Sequence, residues 1–167
     1  KLLCGDSTKA EDVEKLIDKQ KIDLIFTDPP YGVSYTGHPI IGKQWKAIDK
    51  DDLRDEGLYK FLYAAFKHLS DHITDGTAAY IFHASATQIE FQKALEATGF
   101  RVKQQLIWHK GHGFNRSDYH WAHEPLFYTV KGKQNNKWYG DRTQQTILNK
   151  PDTELKGMTK KELVELI

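Results

Sequence analysis

Cysteine is almost absent from this chain, since Cys4 is the only one among 167 residues. A single cysteine excludes an intrachain disulfide and fits a reducing cytoplasm. Because Cys4 stands in the apolar run Lys1–Cys4, we expect it to be a small core residue of a strand. No apolar stretch approaches the length of a membrane span and no secretory signal opens the chain, so the sequence indicates no membrane partner.

A large excess of charge is also missing, since the formal net charge is +1. Overall charge therefore does not identify a nucleic-acid-binding protein. From Arg101 onward, however, basic residues outnumber acidic ones. They form either a solvated face or a surface that contacts phosphates, and the sequence leaves both interpretations open. The basic residues concerned are Lys103, Lys110, Arg116, Lys131, Lys133, Lys137, Arg142 and Lys150.

Neither a dinucleotide loop nor a metal site is predicted. The segment Gly111–Gly113 lacks the later glycine and the following helix that a dinucleotide-binding loop needs. His109 with His112, and His120 with His123, make two His-x-x-His pairs. No cysteine joins them and they do not share a helix face, so the spacing is weak evidence for a metal.

Short apolar runs alternate with segments of helical periodicity, which predicts an α/β fold. The predicted strands are Lys1–Cys4, Ile22–Thr27, Thr77–Phe82, Val102–Trp108 and Pro125–Val130. Alternation of strand and helix predicts parallel pairing, and Ile22–Thr27 has the continuous hydrophobicity of a strand buried on both faces. The last two runs have no helix between them and predict an antiparallel pair at the sheet edge.

Three helices are predicted between these strands. Thr8 and Glu11 form a capping box for the first helix, which ends near Asp18. The second spans about 54–69, and the third lies between Ser85 and Gly99. Their expected core residues are Val13, Leu16 and Ile17 in the first, Leu58, Phe61, Leu62, Ala65, Phe66 and Leu69 in the second, and Ile89, Ala94 and Leu95 in the third.

Two segments fall outside this alternation. Residues 32–50 form a long glycine-containing stretch, and loops of such length are usually functional or disordered. Beyond Gly140 the chain is polar until Thr159 and Glu162, which form a capping box for a helix whose apolar residues lack a partner. We therefore expect a catalytic core at 1–140, a connector at 141–167, and a longer parent protein whose fold is incomplete here at the C-terminus.

The tetrapeptide Asp28-Pro29-Pro30-Tyr31 directly follows the run Ile22–Thr27. The prolines stiffen the chain and remove N–H donors, so the Asp28 carboxylate and the Pro29 carbonyl can both accept hydrogen bonds from one NH2 group. Two such acceptors favour the pyramidal geometry in which an aromatic amine attacks an electrophilic methyl group. Tyr31 would stack on the ring. The alternative is a simple turn with Asp at its first position and Pro at its second.

Because it carries this tetrapeptide directly behind a buried strand, the chain resembles the amino-group DNA methyltransferases. The resemblance extends from Leu2 to about Tyr139. The resemblance implies a Rossmann-like methyltransferase fold and a catalytic corner formed by Asp28, Pro29, Pro30 and Tyr31. It also implies S-adenosylmethionine as cofactor, double-stranded DNA as partner, and a cytoplasmic bacterial or phage enzyme of DNA modification, as in restriction-modification. Asp at the first motif position is commoner among adenine enzymes than among cytosine enzymes.

The same resemblance assigns cofactor-binding residues. Asp6 stands in Gly5-Asp6 at the end of the first predicted strand, and a Gly-Asp ahead of the catalytic motif contacts the cofactor in this family. Because Thr8 serves as the helix cap, Asp6 is available for a ligand, with Ser7 and Asp28 as companions. The alternative is that Asp6 itself caps the helix.

Substrate contacts are expected at a second cluster. Trp108 and Lys110 match the family pattern Trp-x-Lys, and His123 follows across a loop that contains Asn115 and Arg116. The loop mixes aromatic, amide and basic groups, as a wall of a base pocket or a DNA-contacting loop does. Alternatively, Trp108 closes the core and His123 with its neighbour holds two strands together.

The family's glycine-rich cofactor loop, Phe-x-Gly-x-Gly or similar, is missing from the sequence. One class of the family places that loop after the catalytic motif, near the C-terminus, and this chain fits that order. We therefore expect the fragment alone to bind cofactor poorly. Two further hypotheses stay open: methylation of RNA or of a protein glutamine amide by the same corner, and a non-catalytic nucleic-acid-binding module.

Overall fold

The computed structural model describes residues 1–35, 48–111, 113 and 118–148. Its helices are α1 (Ala10–Ile17), α2 (Asp55–Asp71) and α3 (Gln88–Ala97), the last preceded by a 3-10 turn at Ser85–Thr87. Its strands are β1 (Ile22–Thr27), β2 (Ile73–Phe82), β3 (Phe100–His109), β4 (His123–Lys131) and β5 (Ile147–Leu148). None of the helices in these ranges is long and apolar enough to cross a membrane.

The described strands form one mixed sheet in the order β1-β2-β4-β3-β5. β1 pairs parallel with β2, and β3 parallel with β5. β4 runs antiparallel to both of its neighbours, so it is the reversed strand of the described sheet. The predicted α/β fold and the antiparallel pair are therefore confirmed. The short strand β5 lies outside β3, so β3 is not an edge strand.

One face of the sheet is covered by α2 and α3. Alternate residues of β2, Ala79 and Ile81, point to this face, as the two-residue period of a strand requires. They pack with fully buried side chains of the two helices, among them Leu62 and Leu95, each 0% exposed. Gly99, with φ +89°, follows the α3 C-cap, so the predicted helix end is confirmed.

The opposite face carries a second apolar cluster, rich in aromatic rings. Tyr80 and Tyr128 are cross-strand partners with ring centroids 5.2 Å apart. Phe82 and Trp108 meet edge to face at 6.2 Å. Asn136 donates a hydrogen bond to the Tyr128 hydroxyl at 2.7 Å, so part of the chain after β4 lies over this face.

The first strand predicted from the sequence is wrong. Residues Lys1–Cys4 do not form a strand, Leu2 is 98% exposed, and Cys4 is exposed instead of buried. β1 therefore has β2 as its partner and no second neighbour among the described strands. Its expected burial on both faces is also wrong, because Ile25 is buried on one face whereas Leu24, on the other, is 42% exposed.

The predicted helices occur close to their expected positions, with two differences. The Thr8–Glu11 capping box is wrong, because α1 begins at Ala10 after Lys9 and no side chain caps it. Leu16 and Ile89 are exposed, since each lies on the solvent side of a helix that buries only one face. The helix predicted after Thr159 lies outside the described residues.

Candidate active site

The Asp28–Tyr31 corner lies at the edge of the sheet where several strand ends meet. β1, β2 and β3 end at this edge, and β4 begins there because it runs in the opposite direction. The backbone N–H of His83 donates to the Pro125 carbonyl at 3.2 Å and ties the end of β2 to β4. Ligands of open α/β sheets bind at this side, outside the carboxyl ends of the strands.

Within the corner, Tyr31 and Asp28 contact each other. The Tyr31 hydroxyl donates a hydrogen bond to Asp28 Oδ1 at 2.6 Å. Asp28 is exposed, while Tyr31 is half-buried. The bond spans three residues and holds the carboxylate in one orientation at the mouth of the sheet. A charge-assisted hydrogen bond of this length is among the stronger kinds in proteins.

The ring and backbone of Tyr31 are anchored by α3 and the turn before it. Its ring meets Phe91 edge to face, with centroids 6.4 Å apart and planes at 76°. Thr87 donates its hydroxyl to the Tyr31 carbonyl at 2.7 Å. The corner therefore packs against α3 and the turn before it, in addition to being joined to β1.

Several carboxylates surround the Tyr31 hydroxyl. Burial raises the pKa of this hydroxyl well above its ordinary value, and the hydrogen bond to Asp28 raises the pKa further. The negative charges of Asp28, Glu124 and Asp51 act in the same direction. Tyr31 therefore stays protonated and acts as a donor, and the corner is a region of negative potential.

The predicted Trp108 cluster is assembled beside this edge. Trp108 is 9% exposed and is the cross-strand partner of Glu124. Lys110 forms an ion pair with Glu124 at 2.5 Å and lies 5.7 Å from the Trp108 ring centroid. His123 pairs with His109 at the ends of β4 and β3. Trp108 thus belongs to the core, while Lys110 and His123 lie nearer the sheet edge.

Asp6 occupies a different setting from the one expected. Its Oδ1 accepts hydrogen bonds from the Thr8 backbone N–H at 3.0 Å and from the Thr8 hydroxyl at 2.7 Å, and its Oδ2 faces Lys50 Nζ at 3.3 Å. The expectation that Thr8 caps the helix is wrong, because no side chain caps α1. The assignment of Asp6 to the cofactor stays a prediction. The Thr8 bonds, followed by Lys50, lower the pKa of Asp6 to about 2. Ser7 beside it is exposed.

Sequence reasoning did not single out three residues that contact the predicted site. Thr87 holds the Tyr31 carbonyl, Lys50 faces Asp6, and the buried carboxylate of Asp51 accepts backbone N–H groups just after the corner. Nothing in the run 49–52, Asp-Lys-Asp-Asp, distinguishes Asp51 from the acidic residues on either side. Thr87 lies near the start of the third predicted helix, where nothing in the sequence indicates its contact with Tyr31.

The basic residues of the second half do not act alike. Lys131 donates to the Ser70 hydroxyl and to the Thr98 carbonyl, so its ammonium group is held inside the fold. Lys103 and Arg142 line a cavity of about 690 Å³ over the aromatic face of the sheet. Arg116 and Lys150 lie outside the described residues.

Two of the predicted substrate-binding residues, Asn115 and Arg116, also lie outside the part of the chain that the structure describes. His112, one member of the His-x-x-His pairs, lies outside it as well. Among the described residues, no group of three or more histidine, cysteine, aspartate or glutamate side chains is arranged to hold a metal ion.

The family of the chain follows from its sequence. The profile of the DNA methylase family matches residues 22–165, and the chain belongs to that family. The matched range includes the Asp28–Tyr31 corner and β1 to β5. The search of curated protein sequences found no match.

Solved structures resemble the chain in fold. The crystal structure of the M1.HpyAVI–SAM complex is 22% identical to it, with a TM-score of 0.56 over 92% of this chain and 65% of that one. The crystal structure of M1.HpyAVI is 20% identical, with a TM-score of 0.53 over 84% of this chain and 63% of that one. The chain thus spans less than two thirds of the length of these chains.

Proposed function

We propose that this chain forms the base-binding part of an S-adenosylmethionine-dependent DNA methyltransferase. Its substrate is the exocyclic amine of a base flipped out of double-stranded DNA, with adenine favoured over cytosine. The observation that carries the proposal is the Asp28–Tyr31 corner, which lies at the carboxyl ends of the strands in a chain of the DNA methylase family. Asp28 presents its carboxylate at the surface of that corner.

The corner supplies hydrogen-bond acceptors for the amine. Asp28 and the Pro29 carbonyl accept the two amine hydrogens, which turns the nitrogen lone pair away from the ring and toward the methyl group. An ionised carboxylate has about four acceptor sites, so Asp28 can serve both the Tyr31 hydroxyl and the amine. Methylation would cost the amine one of its protons, which the exposed Asp28 carboxylate would pass to solvent.

The charge of the site suits this chemistry. Methylation would place positive charge on the amine nitrogen, and a carboxylate beside that nitrogen would stabilise the transition state. Asp28 is the carboxylate in that position, whereas Glu124 forms an ion pair with Lys110 and Asp51 binds backbone N–H groups. S-adenosylmethionine would supply the methyl group from a sulfonium sulfur, which would leave as a neutral thioether, and the exposed carboxylate of Asp28 suits a cation.

Asp6 and Ser7 are the residues that would hold the cofactor. With its pKa lowered to about 2, Asp6 is ionised at neutral pH and can accept hydrogen bonds from hydroxyl or amino groups. Lys50 connects Asp6 to the segment that also contacts the corner, since Asp51 is the next residue. The adjacent residues Lys50 and Asp51 would therefore link the cofactor-binding residue Asp6 to the base-binding corner.

Tyr31 and the Trp108 cluster would receive the base. Flipping a base costs a few kcal/mol, and stacking on an aromatic ring returns about 1 to 3 kcal/mol per base. We propose Tyr31 as the stacking residue, and Lys110 and His123 with Asn115 and Arg116 as contacts to the base or its neighbouring phosphates, while the buried Trp108 supports Lys110 from below. Lys110 lies over the Trp108 ring in the described structure.

The test uses the full-length protein, labelled S-adenosylmethionine and three polymers: duplex DNA, RNA and a protein mixture. We expect the label in DNA, and nucleoside analysis of the product distinguishes N6-methyladenine from N4-methylcytosine. Asp28→Ala should lower the methylation rate by roughly 100-fold or more, as loss of a group that stabilises a transition state does. Asp23→Ala, an exposed aspartate on β1, is the matched control and should retain the wild-type rate.

Other outcomes would change the proposal in defined ways. Label in RNA or in glutamine side chains would keep the corner's chemistry and replace DNA as the substrate. Wild-type turnover by a folded Asp28→Ala variant would refute the role of this carboxylate. Specific DNA binding without transfer to any polymer would favour a non-catalytic module.

A further inference from the structure

The buried carboxylate of Asp51 holds the backbone that follows the Asp28–Tyr31 corner. Asp51 is 3% exposed. Its Oδ1 accepts N–H groups from Gly32 at 2.9 Å and Val33 at 3.4 Å, and its Oδ2 accepts the N–H of Tyr35 at 2.6 Å. The remaining N–H of this stretch, that of Ser34, donates to the Asp51 carbonyl at 2.7 Å. One residue therefore binds each N–H from 32 to 35.

Neighbouring groups leave this arrangement little freedom. Gly32 has φ +69°, and a Cβ placed on it would lie 2.6 Å from the Leu53 carbonyl oxygen, so only glycine fits. Arg54 donates to the Asp51 carbonyl at 3.3 Å and to the Ser34 hydroxyl at 2.9 Å. The residues after the corner are thus packed against the segment that leads into α2.

Apart from its hydrogen bonds to residues 32–35, Asp51 has neither of the usual partners of a buried carboxylate, a helix N-terminus or a basic side chain, among the described residues. α2 begins at Asp55, and its N-cap is Arg54, so Asp51 does not cap the helix. No ion pair of Asp51 occurs among the described residues. Burying a carboxylate is costly unless hydrogen bonds replace its water, and here backbone N–H groups at the corner do so.

We propose that Asp51 is a positioning residue for methyl transfer, which fixes the corner so that Asp28 and Pro29 face the amine in the reactive geometry. This inference rests on the proposed function. As a positioning residue, Asp51 acts through the backbone from Gly32 to Tyr35, to which its carboxylate is hydrogen-bonded. Its negative charge also reaches the Tyr31 hydroxyl. A displacement of about 1 Å in a catalytic group can lower a rate about 100-fold. A small shift of the corner after loss of the Asp51 carboxylate should therefore have a measurable effect on turnover.

The experiment compares Asp51→Asn and Asp51→Ala with Asp52→Asn and Asp52→Ala in the full-length protein. Asp52 is the exposed neighbour and provides the matched control. Asn keeps one acceptor oxygen and loses the other, whereas Ala loses both. We expect kcat to fall about 100-fold in Asp51→Ala and by an intermediate factor in Asp51→Asn. KM for DNA and S-adenosylmethionine should change little, and the Asp52 variants should match wild type.

Hydrogen exchange supplies the readout that is independent of activity. The amides of Gly32, Val33 and Tyr35 should exchange faster in Asp51→Ala and to a smaller extent in Asp51→Asn, because their acceptors are the side-chain oxygens. Amides of the buried strand β2 and helix α3 should keep their protection and report an intact fold. If Asp51→Ala does not fold, Asp51→Asn alone decides the question.

The possible failures are distinguishable. Faster exchange at 32–35 with wild-type kcat would overturn the positioning role and leave the proposed function intact. Unchanged exchange would overturn the hydrogen-bond assignment itself. If wild-type protein transfers no methyl group to any polymer, the proposed function fails, and with it any role of Asp51 in turnover.

Discussion

At the scale of single residues, Asp6 shows how a short-range contact changes the role read from sequence. The motif Gly5-Asp6 correctly directed attention to an unusual carboxylate. Thr8, however, donates its N–H and its hydroxyl to Asp6 and does not cap α1. The sequence could not distinguish these roles, because a threonine two residues after an aspartate suits both a helix cap and a local hydrogen bond.

Thr8→Ala should raise the pKa of Asp6 from about 2 toward its ordinary value of 3.8. The hydroxyl bond is lost, whereas the backbone N–H and Lys50 remain, so the pKa should stay below 3.8. A lowered folded-state pKa stabilises the fold above pH 3.8, and this contribution is lost as pH falls through about 2. The variant should therefore be less stable than wild type above pH 3.8, and should lose less stability than wild type as pH falls from 3.8 to about 2.

Carboxyl carbon NMR titration measures this shift. Thr143→Ala is the control, because Thr143 makes the same pair of bonds to Asp141. It should raise the pKa of Asp141, which these bonds lower, and leave Asp6 unchanged. An Asp6 titration that is the same in wild type and Thr8→Ala would contradict the assignment.

Tyr31→Phe separates the two roles of this side chain, because phenylalanine keeps the ring and removes the hydroxyl that orients Asp28. We expect a roughly tenfold slower single-turnover methylation rate, which corresponds to about 1.4 kcal/mol, a typical hydrogen-bond contribution. Tyr31→Ala, which also removes the ring, should be slower still. Tyr35→Phe is the control, since Tyr35 is 57% exposed. A wild-type rate for Tyr31→Phe would leave stacking as the only role.

At the scale of elements, the sequence predicted those parts whose signals are local. Periodicity located α2, and the run Ile22–Thr27 matched β1 residue for residue. Burial depends on neighbours that periodicity does not contain. β1 lies at the edge of the described sheet, and Ile89 faces solvent on a helix that buries Phe91 and Leu95.

Leu95→Ala should lower the free energy of unfolding by about 2 to 5 kcal/mol, because Leu95 is 0% exposed and its removal leaves a cavity. Ile89→Ala, six residues earlier on α3, is the matched control. Ile89 is 63% exposed, so its change should be within about 0.5 kcal/mol. Urea unfolding of both variants measures the difference. Equal losses would mean that α3 packs through another face.

The candidate site was predictable only in part, because local sequence signals reveal some of its residues and long-range contacts define the others. Asp28–Tyr31 could be found because its proline chemistry is local and follows a recognisable strand. Asp51 could not, because its function depends on contacts with residues 16 to 19 positions earlier in the chain. Such a contact requires the path of the chain between them, which composition does not determine.

At the scale of the whole molecule, the two faces of the sheet differ in kind. One is covered by helices, whereas the other carries tyrosines whose hydroxyls resist ionisation. Burial, together with the nearby Tyr128, raises the pKa of Tyr80 to about 12, and the pKa of Tyr31 is raised as well. Ionisation of these residues is therefore coupled to the unfolding of the protein.

The fold should lose stability as pH rises above 10, the ordinary tyrosine pKa. A raised folded-state pKa gives full stabilisation below that pH and loses it as pH approaches about 12. Each such tyrosine contributes at most about 1.4 kcal/mol per pH unit. Tyr80→Phe should flatten this dependence when urea unfolding is measured from pH 8 to 11.5, and Tyr139→Phe, on a residue 83% exposed, is the control. An identical slope in wild type and Tyr80→Phe would contradict the coupling.

The attachment of residues 34 and 35 to Asp51 has an evolutionary consequence. Ser34 and Tyr35 hydrogen-bond to Asp51, and the Asp51 N–H donates to the Ile48 carbonyl. The chain on both sides of residues 36–47 is therefore held by the same residue, Asp51. For a chain whose two ends are held, doubling the length between them costs only about 0.6 kcal/mol. Related chains could therefore differ in length between residues 35 and 48 without displacing the backbone that Asp51 holds.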